Sequence, residues 1–481
     1  MPLSKKSENT ADKLREILNS DDVEYLPLSA ANKKATLVFI KDIVDKHGIG
    51  EFIIKPLNSL KGSLTGKKLF DTFLSAEKKV VSTIEKTAAE VVGGNTVLLV
   101  DGFTYALSFG LKMFEKRAIT EPPTSSVIKG PREGFVESLQ VNVSLMRRKL
   151  KTESLKFINI NIGNYSNTQL CLCYIDGIAD KKLVSSLKER LQNINIDALL
   201  DSSYVSKYLG EKKSSIFKQV GNTEKPDILA AKILEGRVAI LVDGSPIVLT
   251  VPYLLIEDFQ SPSDYYNSPY TATFMRVLRL ISVLISMLLP AVFVAAELFH
   301  LQLIPLSFLL TIVNSIKGIP LSPSYEMFFT LLIFEILNEA SLRMPRYVGM
   351  VVSIVGALVL GETAVNAGII SAPALMIIAF SGICLYTVPE LEQTFSLLRL
   401  IFLIIGGSIG GYGIIVALSI LLIYLISFEN FGTPIFAPFS PIVKEDLKDG
   451  IYKGFMLETS SRPKSIKNRN KRRLKVDKMT E

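Results

Sequence analysis

PDILAAKILEGRVAILVDGSPIVLTVP, residues Pro226–Pro252, decides how the first half of this chain folds. Pro226 opens a helical stretch and Gly236 follows it, the two ends at which a helix best accepts those residues. RVAILVDG (Arg237–Gly244) is then an apolar run closed by Asp-Gly, and PIVLTVP follows, which reads as a buried strand, a turn and a return strand. The same syntax stands earlier: Gly93-Gly94 ends a helical stretch, TVLLVDG (Thr96–Gly102) follows, and YALSFG returns. The two Asp-Gly steps, at Asp101 and Asp243, lie 243 − 101 = 142 positions apart. Neither run alternates, as expected of strands covered on both faces. Written twice, the pattern predicts two related α/β subdomains, with Val97–Val100 and Val238–Val242 as equivalent strands; chance similarity of buried strands is the alternative.

Working outward, FINI at Phe157 and QLCLCYIDG (Gln169–Gly177) read as further strands, and KKLVSSLKERLQNI as an amphipathic helix. TEPPTSSVIK (Thr120–Lys129) is a Pro/Ser/Thr linker. The first 30 residues are polar and expected to be partly helical. Ala31–Ala89 reads as mostly helical, through KDIVDKHGIGEFII and LFDTFLSAEKKVVSTIEKTAAEVV. The expected divisions are therefore a polar segment 1–30, one subdomain 31–125, and a linker helix with the second subdomain 126–265. PREGFVESLQVNVSLMRRKL is expected to be one amphipathic helix, with Phe135, Leu139, Val143 and Met146 on a stripe and Arg147, Arg148 and Lys149 at the end where cations favour the dipole. Arg132, Glu133, Arg147 and Arg148 are candidate contacts between subdomains or subunits; an ordinary surface helix is the plain alternative.

The 481 residues carry a net charge of +8, with 48% apolar and 21% charged residues and a mean hydropathy of +0.34. Charge and apolarity are segregated: apolar runs fill the chain between Tyr270 and Phe428. Leu280–Phe299 is long enough to span a bilayer. Leu301–Val313, Glu326–Leu342, Tyr347–Gly361, Ile369–Val388 and Leu397–Phe428 follow, the first short enough for a re-entrant piece and the last, with glycines at 406, 407, 410, 411 and 413, long enough to break. The expectation is a transmembrane bundle over 270–430 with about six crossings, four if pieces re-enter, and a Pro-rich loop and basic tail at 431–481. Arg276 and Arg279 mark the inner end of the first span. The last 21 residues hold nine Lys/Arg against two Asp/Glu, so both termini are expected inside, although Arg343 and Arg346 then fall outside against the rule. No apolar core of a signal peptide stands at the N-terminus. The fold class expected is an α/β soluble region followed by an all-α polytopic bundle.

Catalysis is not expected. His47 and His300 have no metal-ligand spacing, no nucleotide loop or nucleophile elbow is present, and the three cysteines form no disulfide framework. No cofactor or metal is implied. Glu335, Glu339 and Arg343 fall at i, i+4 and i+8 on one helix face, where charge in a bilayer must be paired or wetted. A structural Glu339–Arg343 pair competes there with an ion pathway or a contact to a partner. Ser353, Gly356, Val359, Leu360 and Thr363 share a stripe that suits tight packing or a pore lining, with Glu362 at its mouth. The tail KNRNKRRLKVDK suits lipid headgroups better than nucleic acid, since it lacks interleaved aromatics.

Four stretches resemble the A subunit of the GerA-type spore germinant receptors: VIKGPREGFVESLQVNVSLMRRKLK (Val127–Lys151), NTEKPDILAAKILEGRVAILVDGSPIVLTVP (Asn222–Pro252) with QSPSDYY (Gln260–Tyr266), NEASLRMP (Asn338–Pro345) and FGTPIFAPFSP (Phe431–Pro441). Their order and spacing cover nearly the whole chain. Thr124–Ser126 lack the acidic residue usual before the family's VxxGP, and Lys129 replaces its usual Arg. The resemblance implies a multi-pass protein of the spore inner membrane. It also implies a transporter-like B subunit that binds nutrient, a lipoprotein C subunit, and a ring of A subunits conducting ions when nutrient binds. A non-conducting scaffold and a membrane transporter are the competing expectations.

Overall fold

The computed structural model describes residues 1–31, 33–60, 65–73, 77–113, 129–345, 361–455, 458 and 460–473. The chain divides into two compact units: an α/β unit of Met1–Tyr253 with Asn430–Thr433 and the C-terminal tail, and a helical unit of Leu254–Glu429 with Pro434–Phe455.

The α/β unit holds two five-stranded antiparallel sheets. The first contains β1 (Val23–Ala30), β2 (Lys33–Ile40), β3 (Lys78–Val81), β4 (Thr96–Val100) and β5 (Ala106–Phe109), in the order β1-β2-β4-β5-β3. The second contains β6 (Leu155–Ile162), β7 (Thr168–Ile175), β8 (Gly221–Thr223), β9 (Val238–Val242) and β10 (Val248–Val251), ordered β6-β7-β9-β10-β8. Renumbered from one, the two orders are the same. Helix Ser7–Leu18 precedes the first set and Leu139–Lys149 the second, and Ile84–Val92 and Pro226–Leu234 lie between the third and fourth strands of each. β4 and β9 are buried along their whole length because helices cover both faces of each sheet. Alternate residues serve opposite cores: Cys171 and Cys173 face the Leu139–Lys149 side, Leu170 and Leu172 the other.

The Asp-Gly steps do the same work in both copies. Asp101 accepts hydrogen bonds from the backbone N–H (2.6 Å) and the hydroxyl (2.7 Å) of Ser7, the first residue of its helix. Asp243 accepts one from the N–H of Leu139, the first residue of its own (3.1 Å). Gly102 and Gly244, at φ +91° and +86°, donate to Lys5 O (2.7 Å) and Glu137 O (2.8 Å), each two residues before the helix. A strand end thus supplies a carboxylate to helix N–H groups with no intrahelical partner. The left-handed backbone that aims the second bond explains the glycine.

Three expectations are corrected. Residues 31–89 are helical over 46–59, over Gly66–Thr72 and from Ile84 onward, but not throughout: β2 and β3 lie there, and the stretch from Leu69 to Val92 is broken into helix, strand and helix. Lys33–Ile40 is rich in β-branched and aromatic residues, and pairing with both β1 and β4 settles its state. The division at residue 30 falls inside the β1–β2 hairpin, so the first 30 residues belong to the first sheet and its helix. The helix expected from Pro131 begins only at Leu139. The residues before it are held by Lys225 Nζ on Pro131 O (2.7 Å) and Phe135 N–H on Glu224 O (2.8 Å).

The helical unit contains Pro269–Phe299, Leu306–Ile316, Pro323–Arg343, Gly361–Asn366, Ala372–Leu385, Glu392–Ile409 and Gly411–Ile426. Among the described residues, Pro269–Phe299 and Pro389–Ile409 are long and apolar enough to cross a membrane; Leu306–Ile316, Ala372–Leu385 and Gly411–Ile426 are apolar but shorter. The long final run is two helices, separated at Gly410 by φ +76°. Gly406 is needed for close approach: a Cβ there would stand 2.7 Å from Ala291 O of helix Pro269–Phe299.

Candidate functional site

Arg147 lies where the two subdomains meet. The turn after helix Ser7–Leu18 carries Ser20, Asp21 and Asp22, and β6 runs beside it: Asp21 N–H donates to Phe157 O (3.0 Å), Phe157 N–H to Ser20 Oγ (2.9 Å) and Asn159 N–H to Asp21 Oδ2 (2.8 Å). Arg147 reaches Asp22 with two bonds, Nε to Oδ2 (2.8 Å) and Nη2 to Oδ1 (2.9 Å), and both side chains are almost wholly buried. Its remaining donors meet Ser20 Oγ (3.1 Å) and Thr152 O (3.3 Å). Lys156, also buried, places its ammonium on Ile17 O (2.7 Å) and Leu18 O (2.5 Å), the carbonyls that helix Ser7–Leu18 leaves open at its C-terminus. Burial holds the Lys156 ammonium below its ordinary pKa, against the opposing pull of Asp176. The planar two-bond match of guanidinium to carboxylate fixes one orientation of the subdomains.

The other candidates of that segment lie apart from the joint. Arg148 pairs with Glu133, as does Lys149 (3.1 Å). Glu133 is held low: burial pushes its carboxyl up, and Lys149 and Arg148 overcome this. Arg132 is exposed. The helix is not amphipathic as expected, because every residue from Val141 to Arg147 is buried.

In the helical unit Glu339 and Arg343 pair (2.6 Å), with both side chains largely exposed. Glu335 does not join them. It accepts from Nη2 of Arg399 (2.5 Å) and from the Ser396 hydroxyl, and Arg399 Nη1 donates to Ser381 Oγ (2.7 Å). Arg399 is 1% exposed and ties together helices Pro323–Arg343, Ala372–Leu385 and Glu392–Ile409. Sequence reading passed over Arg399, although a lone arginine in FSLLRLIFLII calls for a partner as strongly as a lone glutamate does. Glu326, 2% exposed, accepts from Ser371 N–H (2.6 Å) just before helix Ala372–Leu385. Ser353, Gly356, Val359 and Leu360 lie outside the described residues; Glu362 and Thr363 are exposed on the short helix Gly361–Asn366.

Arg276 and Arg279 are ion-paired rather than free. Arg279 donates to both oxygens of Asp264 (2.8 and 2.9 Å), in the QSPSDYY stretch. Arg276, 2% exposed, reaches Asp264 Oδ2 (3.1 Å), Asp449 Oδ1 (3.2 Å) and Gly450 O (3.0 Å). Burial raises the Asp264 pKa, and the bonds from Arg279 and Ser261 outweigh it, leaving the carboxyl below its ordinary value. The tail, expected at a lipid surface, closes on the second subdomain over 462–473: Arg462 Nε donates to Leu234 O (2.6 Å), Arg469 N–H to Ile178 O (2.9 Å) and Arg473 Nη2 to Glu235 (3.0 Å). Among the described residues no group of three His, Cys, Asp or Glu side chains is placed to hold a metal ion.

Residues 12–465 match the family model described as Bacillus/Clostridium GerA spore germination protein. The chain is 35% identical over 484 residues to "Spore germination protein KA" of Bacillus subtilis (strain 168), covering 99% of this chain and 89% of that one. It is 36% identical over 418 residues to "Uncharacterized membrane protein YfkQ" of the same organism (86% and 82%), and 32% identical over 437 residues to "Spore germination protein GerLA" of Bacillus cereus (90% and 89%). Among solved structures, the N-terminal domain of the A subunit of the Bacillus megaterium spore germinant receptor GerK3 aligns at 27% identity and a TM-score of 0.43, over 53% of this chain and 98% of that one.

Proposed function

The chain belongs to the GerA family of spore germination proteins, and from that membership we propose that it is the A subunit of a nutrient-responsive germination receptor of the spore inner membrane. The observation that carries the reading is the extent of the likeness, which runs through both units. The four quoted stretches support the choice of subunit. On this reading the chain works with a transporter-like B subunit, a lipoprotein C subunit and further copies of itself.

Residence in a membrane is supported by the reversed polarity of the helical unit. Leu306, Ile383, Ile415, Ile420 and Ile423 are each more than 60% exposed, while Arg399, Ser381, Glu326 and Ser286 are at most 2% exposed. That arrangement suits a lipid solvent, where apolar surface costs nothing and polar groups must be satisfied inside. The chain crosses several times, with both termini cytoplasmic. A ring of copies conducts ions along Ser353, Gly356, Val359, Leu360 and Thr363, with Glu362 at the mouth. Glu335, Glu339 and Arg343 stay off the axis. The competing reading is a subunit that couples nutrient binding to other membrane proteins without conducting.

Deletion of the gene should abolish the spores' response to one class of nutrient and leave their response to other stimuli intact. Spores that respond normally to every nutrient tested would refute the receptor role. Conductance across bilayers holding the purified oligomer separates pore from scaffold, and Leu360→Ala should raise it.

A further inference from the structure

Asn430–Thr433 follows the last apolar helix, Gly411–Ile426, by only three residues, yet it belongs to the α/β unit. Asn430 is fully buried and donates from Nδ2 to Gln219 O (2.5 Å), beside the start of β8. Phe431 packs against the second sheet's core under the Arg190 guanidinium (4.4 Å from the ring centroid). Its N–H donates to Glu211 Oε1 (3.3 Å), the oxygen that also binds Arg190 (3.1 Å). Phe431 keeps φ +51°, a left-handed backbone that a bulky residue holds only where its surroundings compel it. Thr433 is 2% exposed. The C-terminal tail meets the same segment: a Cβ on Gly432 would stand 3.0 Å from Lys467 Nζ. Apart from Lys467 of the tail, these partners, Gln219, Arg190 and Glu211, lie in the second subdomain.

We infer that Asn430–Thr433 is a plug through which the second α/β subdomain acts on the final apolar helix. The residues between helix end and plug leave little slack. Ser427 N–H still bonds Ile423 O (3.0 Å) and Phe428 N–H bonds Leu425 O (3.4 Å), so a displacement of β8 reaches the helix within one turn. The inference deepens the receptor reading and rests on it only for its consequence in spores.

The test is amide hydrogen exchange on the purified full chain, comparing wild type with the double variant Asn430→Ala/Phe431→Ala and with Arg190→Ala alone. Both variants should speed exchange about tenfold at Ser427 and Phe428 as well as at Gly221–Thr223, while β4 in the first subdomain is unchanged. Faster exchange confined to 430–433 overturns the inference. Should the double variant not fold, Arg190→Ala decides alone, because its half-exposed side chain is not part of the core. Spores holding the double variant at wild-type abundance should respond to nutrient about tenfold more slowly. A deletion strain that responds normally refutes the receptor role and leaves the exchange result to judge the plug.

Discussion

The two α/β subdomains share a strand order, an Asp-Gly clamp and even a register, yet the same position does different work in each. From the clamped residues Ser7 and Leu139 the offset is 139 − 7 = 132. Arg15 and Arg147 keep it (147 − 15 = 132), and so do the aromatic rings beneath them, Tyr25 and Phe157 (157 − 25 = 132), each 4.8 Å from its guanidinium carbon. Arg15 is exposed and pairs within its helix with Asp12 (3.1 Å); Arg147 is buried and pairs with Asp22 of the other subdomain. Duplication preserves the fold and the local cation–aromatic contact. What surrounds each copy decides whether the charge is decoration or a joint. The second copy is also the one held by Asn430–Thr433 and the tail, so attachment as well as burial separates them.

The sharpest way to break this comparison is to delete the two arginines separately. Arg147→Ala leaves Asp22 buried without its cation and should cost about 3–5 kcal/mol, whereas Arg15→Ala should cost below about 0.5 kcal/mol. Thermal unfolding of the full chain, with both variants side by side, reads the difference; similar shifts would make the repeats equivalent. The helical unit offers a parallel contrast. Arg399→Ala strands Glu335 among three helices and should cost about 3–5 kcal/mol, while Arg343→Ala removes an exposed i, i+4 pair worth about 0.3–0.5 kcal/mol. Paired reversal, Glu335→Arg with Arg399→Glu, should recover part of the loss if the ion pair is what matters.

A smaller effect tests what the copies share. Asp101→Asn and Asp243→Asn should each cost about 1 kcal/mol, the worth of a helix N-terminal acceptor. Acid tests the first of them. Burial raises the Asp101 pKa, but the bonds from Ser7 prevail and hold it below its ordinary value. The folded protein therefore binds that proton less readily than the unfolded chain. The stabilisation is complete above about pH 4 and is lost as the pH falls through the lowered value. Unfolding followed from pH 5 downward should show Asp101→Asn converging on wild type, and parallel curves would mean that the clamp does not depend on charge.

Much of this architecture could be read from the chain. The Asp-Gly steps located both buried strands and hinted at duplication, because a left-handed turn after an apolar run leaves a mark in residue types. The Pro226 and Gly236 signals bounded a helix for the same reason. Lys33–Ile40 was missed as a strand although its hairpin partner β1 is adjacent in sequence; its other neighbour, β4, lies some sixty residues on and leaves no local mark. The start of the helix at Leu139 was missed because distant Glu224 and Lys225 hold the residues before it. Of the candidate site, Arg147 stood out as a charge at a helix end, but its partner Asp22 is 125 residues away and nothing local announces it. Arg399 could have been noticed as a lone charge in an apolar run; that it answers Glu335 rather than Glu390 or Glu392 could not.

By itself, then, the sequence determined the periodic and local features: which segments are apolar, where glycine and proline punctuate them, that the first half repeats, and which family the motifs resemble. Those depend on residue types within a few positions of one another, where sterics and backbone hydrogen bonding act directly. Only the tertiary structure decided which of two equivalent arginines became a joint, which carboxylate took Arg399, and where the final segments docked. Each of those outcomes turns on desolvation and on pairings across more than 60 residues, and the energy of a buried charge belongs to its surroundings rather than to its own side chain.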